Sequence, residues 1–216
     1  ATIKDQGGNA NAIEIADTTA NVTIGNLTTT LSSTSTVPAS VGSSFVLVKS
    51  YQGFTVTNSM VVKTDLFNST YRDYRVIITG EADGTQSQFQ FRFGSSGTLN
   101  STTNYFYLVR GNDSNAAGIH TKNGHQVNIC ELTNGTQGAS NFNRFVIDMV
   151  IHNAGASGGI AYTGTSSETR SSAFFISNFI GGYLDVDLQA TDMGFAFSTG
   201  TGNRTLNIQS YGIKTT

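Results

Sequence analysis

The stretch QFQFRF, residues 88–93, decides the fold class. Phe89, Phe91 and Phe93 fall on one parity, and Gln88, Gln90 and Arg92 on the other. Successive side chains of an extended chain point to opposite faces, so this segment has one apolar and one polar side, the pattern of an antiparallel strand with one face buried. The same period of two runs through NRFVIDMVIH, residues 143–152, where Phe145, Ile147, Met149 and Ile151 share a face and Asp148 takes the other.

Similar runs appear in SFVLVK (44–49), MVVKTDLF (60–67), YRVIITG (74–80), NYFYLVR (104–110), QVNICEL (126–132), SAFFISNF (172–179), YLDVDLQ (183–189), MGFAFS (193–198) and RTLNIQSYGI (204–213). That makes about eleven strands. Asp83-Gly84, Asn123-Gly124 and Asn134-Gly135 supply residues that tolerate positive φ and are expected to close tight hairpins between them. GASGG (155–159) and STGTGN (198–203) read as hairpin loops. No segment combines apolar spacings of three and four with helix caps. The expectation is an all-β chain folded as an antiparallel β-sandwich, jelly-roll-like, rather than a closed barrel. No fixed-period repeat supports a propeller or β-helix.

Residues 1–40 differ in kind. They hold no aromatic residue, are rich in Thr, Ser and Asn, and end in LSSTSTVPAS around the single proline, Pro38. Ile13 with Ile15 and Val22 with Ile24 allow brief strands, but so little apolar area hardly offsets the entropy of ordering the segment by itself. The expected organisation is an extended N-terminal arm and linker, residues 1–40, followed by the sandwich, residues 41–216. The arm orders against its own body, sister subunits or a larger assembly.

Composition limits the function. Of 216 residues only 12% are charged, about half the usual ~25%. Thr, Gly, Ser and Asn contribute 30, 24, 23 and 19, a neutral hydroxyl- and amide-rich surface. The 14 Phe and 8 Tyr exclude a disordered chain. With a net charge of −2 the footprint needed for nucleic acid or an anionic membrane is missing, and neither partner is expected. A single cysteine, Cys130, excludes an internal disulfide. No run approaches the roughly 18 apolar residues of a membrane span, and ATIKDQGGNANAIEIADTT shows no basic region before an apolar stretch, so neither a span nor a secretory signal is expected. Seven Asn-x-Ser/Thr triplets, at Asn21, Asn26, Asn68, Asn100, Asn112, Asn134 and Asn203, are no more than this composition produces by chance.

His120 and His125 flank TKNG, with Cys130 and Glu131 following, but strand alternation separates Cys130 from Glu131, His152 fits no ligand spacing, and zinc needs three or four converging ligands. Asp185, Asp187 and Asp192 form an acidic group in YLDVDLQATD, with Asp185 and Asp187 on one strand face; calcium asks for six to eight oxygens, and a glycosidase pair needs a set separation across a cleft. No phosphate loop and no GxSxG elbow is present. Cys130 lies in an apolar run and reads as a small core hydrophobe. The expectation is a protein that is not an enzyme, with no catalytic, cofactor-binding or metal-ligating residue and no cofactor. Tyr105 and Tyr107 alternate with Phe106, so either one set faces outward, as a surface on which sugars stack, or the strand is buried on both sides.

Four stretches resemble a loose family of tailed-bacteriophage virion proteins, tail-fibre or capsid-decoration modules built on a β-sandwich. VPASVGSSFVLVKSY (37–51) is similar to the linker and first strand that open such modules. LFNSTYRDYRVIITG (66–80) resembles their Phe, short Ser/Thr spacer and Tyr-x-x-Tyr entering an apolar strand, here Phe67, Tyr71 and Tyr74. DGTQSQFQFRFGSSGTLNSTTNYFYL (83–108) resembles a hairpin, an alternating strand, a Gly/Ser turn and a tyrosine-bearing strand, although DGTQSQF stands where relatives carry a longer polar loop. SYGIKTT (210–216) is similar to their closing strand. The resemblance implies a structural protein on the virion surface, assembled in the host cytoplasm. It implies a homo-oligomer, typically a trimer, anchored by its N-terminal arm to the major capsid or tail protein, with a host-surface glycan as a possible ligand. Capsid decoration or a head fibre is favoured, and a short tail fibre or carbohydrate-recognition module is the alternative. No catalytic residue is carried over.

Overall fold

The computed structural model describes residues 44–82, 88–113, 119–133, 142–170, 174–198 and 204–214, with the side chains of Ala82, Asp113, His120, Phe142, Asn143, Arg170 and Phe174 left aside. These residues all belong to one unit, Ser43–Thr216. The arm expected over residues 1–40 lies outside the described residues, as do the turns at Asp83-Gly84 and Asn134-Gly135.

The elements are β1 (Phe45–Thr55), β2 (Val61–Lys63), β3 (Tyr74–Ala82), β4 (Phe89–Ser95), β5 (Thr98–Leu99), β6 (Tyr105–Asp113), β7 (Ile119–Val127), β8 (Cys130–Glu131), β9 (Phe142–His152), β10 (Ile160–Arg170), β11 (Phe174–Leu184), β12 (Asp192–Phe197) and β13 (Arg204–Ile213). No helix occurs among the described residues. Eight strands form one sheet in the order β1-β13-β3-β9-β10-β11-β6-β7, and a smaller sheet runs β2-β12-β4-β5 with β8 also paired to β4. Every pairing is antiparallel. The two sheets pack as the expected β-sandwich.

The alternation read in the sequence sets the core. Phe89, Phe91 and Phe93 are fully buried, while Gln90 and Arg92 are half-buried on the other face of β4. Opposite them, Val76 and Ile78, Ile147 and Met149, and Leu206 and Ile208 project inward from the large sheet. Phe89 sits at the centre, its ring 5.2 Å from Phe145 across the sandwich and 5.8 and 5.1 Å from Phe195 and Phe197 beside it. Phe91 meets Tyr162 edge to face at 5.1 Å. Burying each such ring contributes about 2 kcal/mol or more, so packing holds the fold without any cross-link. At the loop before β3, Phe67, Tyr71 and Tyr74 form one edge-to-face chain, and the Asn68 backbone N–H donates to the Tyr74 hydroxyl at 2.8 Å.

Several boundaries differ from the sequence reading. MVVKTDLF is a strand only over β2, because Asp65 takes a positive φ of 58° and turns the chain. QVNICEL divides between β7 and β8, which lie in different sheets. Asn123-Gly124 closes no hairpin; β7 runs straight through it, and the positive φ falls at Gln126, where the pairing with β6 slips. Glycine is required at 124 because a Cβ there would lie 2.2 Å from the Tyr107 ring. YLDVDLQ is no strand after Leu184, and β12 and β13 lie in different sheets rather than forming a hairpin across STGTGN. Strand β10, IAYTGTSSETR, has no counterpart in the sequence reading. Its inward side turns polar at Ser166 and Glu168, both fully buried, where Asn178 Nδ2 donates to Ser166 Oγ at 3.0 Å and Glu168 Oε1 at 3.3 Å.

Candidate functional site

The large sheet has an outer face, and its chemistry follows from the same alternation. On β6, Tyr105, Tyr107 and Val109 are buried, so Phe106, Leu108 and Arg110 point away from the core. On β11, Ile176, Asn178, Ile180 and Leu184 are buried, so Phe175, Phe179, Gly181 and Tyr183 point outward. The question of which way the Tyr105–Tyr107 strand faces is thereby answered: the tyrosines go in and Phe106 goes out.

Phe45, Leu47, Leu108, Ile119, Val146, Phe175, Phe179 and Tyr183 are the large apolar side chains left exposed among the described residues. By register all eight lie on this outer face. Five of them fall on the neighbouring strands β6, β7 and β11, so this end of the outer face is the most apolar exposed part of the described residues.

Within this face lies an open groove of about 380 Å³, lined by Phe106, Leu108, Asn123, His125, Gly181 and Tyr183 among others. Its origin is a missing side chain. Gly181 pairs with Leu108 on one side and Thr163 on the other, with Phe179 and Tyr183 two residues away along its own strand. A Cβ at Gly181 would make only ordinary contacts, with the Tyr162 carbonyl at 3.6 Å, the Phe179 ring at 3.7 Å and the Thr163 methyl at 3.9 Å, so a small side chain fits there without a clash. The walls are held. Tyr183 lies against Gly159, where a Cβ would come within 2.2 Å of its hydroxyl, and that hydroxyl donates to Asp185 Oδ1 at 3.2 Å. The Asp185 charge, followed by desolvation, raises the Tyr183 phenol above its ordinary pKa. Phe106 is braced edge to face by His125 at 4.9 Å. Beyond Phe179 a second depression, of about 420 Å³, is lined by Arg110, Asn112, Ile119, Thr165 and Ser177.

The residues weighed as ligands or catalysts are dispersed. His125 stands on the outer face, Cys130 and Glu131 belong to the small sheet, and His152 lies 3.9 Å from Asp73, while the side chain of His120 is outside those described. Cys130 is fully buried, and burial pushes its thiol up to about 12. The three aspartates serve separate structural ends: Asp187 accepts from the Gly158 N–H at 2.7 Å, Asp185 from Tyr183, and buried Asp192 from the N–H groups of Asp65 and Gly97 at 3.3 and 2.5 Å. Asp185 and Asp187 therefore do not share a strand face. Among the described residues, no three His, Cys, Asp or Glu side chains converge as a metal site. Two of the Asn-x-Thr triplets are turn devices, with Asn68 Oδ1 accepting from Thr70 N–H at 2.9 Å and Asn100 Oδ1 from Thr102 N–H at 3.0 Å.

Phe175, Phe179, Gly181 and Tyr183 were not singled out by sequence. A signal was present: FFISNFIGGYL carries large apolar residues on both parities, which a strand with one buried face does not need. No protein-family model, curated protein or solved structure matches the chain.

Proposed function

We propose that the protein is a non-enzymatic structural component of a bacteriophage virion. It is anchored through residues 1–40 to the major capsid or tail protein and displays the sandwich on the particle surface as a homotrimeric capsid decoration or head fibre. The observation that supports this reading most directly is the strand order of the large sheet. The chain enters the sandwich at β1, one edge, while the aromatic groove lies across β11, β6 and β7 at the other. Seven strand spacings separate the two edges, roughly 34 Å, which suits attachment at one side and display at the other. The disulfide-free aromatic core and the sparsely charged composition suit a particle surface assembled in a reducing cytoplasm.

The test is incorporation. A chain lacking residues 1–36 is expected to yield a soluble, folded sandwich that no longer joins particles; incorporation at normal occupancy overturns the anchoring role. Copy number per virion by mass spectrometry separates the positions, with hundreds expected for capsid decoration and a handful for the tail. The apolar outer face favours a second reading, a short tail fibre or receptor-binding module that contacts a host-surface glycan.

A further inference from the structure

We propose that the groove beside Gly181 is a binding site for a neutral glycan, taking one or two pyranose rings between Tyr183, Phe106 and Leu108. The inference rests on the reading of the outer face as a display surface and adds the site and the class of its ligand.

The first argument is shape. Phe179 and Tyr183 are four residues apart on β11, hence about 13 Å along the strand, with only glycine at the outward position between them. The groove beside this gap is flanked by the Phe106 and Tyr183 rings and is about 380 Å³ in volume. That volume is in the range of small-ligand sites. The C–H faces of a pyranose present apolar surface to such rings, and its equatorial hydroxyls project toward the rim.

The second is the donor and acceptor set. The rim carries the Asn123 amide, the His125 imidazole, the Tyr183 hydroxyl and the carboxylate of Asp185 beyond it. Amide, imidazole and carboxylate together both donate to and accept from vicinal hydroxyls. No lysine or arginine lines the groove, and the Asp185 carboxylate accepts from the Tyr183 hydroxyl at its rim. An anionic ligand would therefore meet a carboxylate at the rim and no lysine or arginine in the lining, which favours a neutral saccharide over a sialylated, uronic or phosphorylated one.

The third is preorganisation. Tyr183 is fixed by Gly159 and Asp185, and Phe106 by His125, so little side-chain entropy remains to be lost on binding.

The experiment uses the full 216-residue chain. Cellobiose, lactose, maltose and diacetylchitobiose are titrated by calorimetry and saturation-transfer NMR, with sialyllactose and a digalacturonate as acidic comparators. At least one neutral disaccharide is expected to bind more tightly than either acidic one. Tyr183→Ala should weaken that binding about tenfold or more, and Gly181→Leu should abolish it by filling the slot. Gly181→Ala, whose Cβ makes only ordinary contacts, keeps the fold and confirms that loss in Gly181→Leu reflects occupancy; Phe106→Ala serves where Gly181→Leu fails to fold. The proposal is overturned if no neutral disaccharide binds at about 10 mM, if binding survives both Tyr183→Ala and Phe106→Ala, if the acidic sugars bind better, or if the variants alter sedimentation mass and not saccharide binding, which assigns the groove to self-association. Particle incorporation is scored separately for Tyr183→Ala. Normal incorporation with lost binding supports the site, and loss of incorporation in the 1–36 deletion reads the virion role by itself.

Discussion

The Tyr105 hydroxyl accepts the backbone N–H of Phe93 at 3.0 Å inside the core, joining β6 of the large sheet to β4 of the small one. The same hydroxyl lies 3.4 Å from the Phe93 carbonyl and 3.3 Å from that of Asn100. Phe93 pairs with Met193 of β12 but has no register partner in β5 or β8 on its other side, and the phenol fills that gap. Tyr105→Phe keeps the ring and removes the partner, leaving a buried N–H unsatisfied. The expected cost is about 2 kcal/mol, read as a lower urea midpoint at unchanged slope.

How much was legible in the sequence depends on which force set each element. Wherever burial on one face dominates, as in β4 and β9, alternation gave parity and core side correctly. It failed where another constraint overrode it. Strand β10 puts Ser166 and Glu168 inside, where Asn178 on the neighbouring strand donates to both, a partnership that no local pattern reveals. Gly124 reads as a turn residue but serves the Tyr107 ring, a contact made across strands. The groove was hidden for the same reason: Gly181 is informative only once Leu108 and Thr163 are known to flank it.

Two glycines separate packing from display. A Cβ at Gly155 would lie 1.8 Å from the Tyr71 carbonyl oxygen and 2.5 Å from that of Asn68, both backbone atoms of a loop tied down by the Gly155 N–H to Arg72 O bond of 3.2 Å and by the Tyr74 hydroxyl donating to Asn68 O. Neither can step aside. Gly155→Ala is expected to destabilise by about 3 kcal/mol and lower Tm by about 6–12 °C, while Gly181→Ala moves stability by less than about 0.5 kcal/mol. Parallel thermal melts check the contrast.

Alkaline pH should unfold the protein early. Burial raises the phenols of Tyr74, Tyr105, Tyr107 and Tyr162 and pushes the Cys130 thiol up to about 12. Each is neutral in the fold, and each ionises more readily in the unfolded chain, near about 8.5 for the thiol and 10 for the phenols. Their contribution is complete below those values. Above about pH 9 the unfolded state has lost more protons than the native one, so stability falls as pH rises toward the folded-state values. Urea midpoints are expected to be level from pH 7 to 8.5 and to drop steeply by pH 10.5. Iodoacetamide at pH 8 should leave Cys130 unmodified until the chain unfolds.

Lys122 projects inward from β7 and forms an ion pair with Glu131 of β8, joining the two sheets behind the groove. Glu131 is largely buried and also accepts from Gln90 Nε2 at 3.1 Å. Replacing one member strands the other: Lys122→Met leaves the carboxylate in the sandwich without its counter-charge, at an expected cost of about 3 kcal/mol. Adding Glu131→Gln removes the charge while keeping an acceptor for Gln90, so the double variant should recover most of that loss. A double-mutant cycle of urea midpoints measures the coupling, and additive losses would mean that the pair contributes nothing as a pair. Because β7 carries Asn123 and His125, the single Lys122→Met variant is further expected to loosen the groove rim and raise amide exchange along β7, an effect that the double variant reverses.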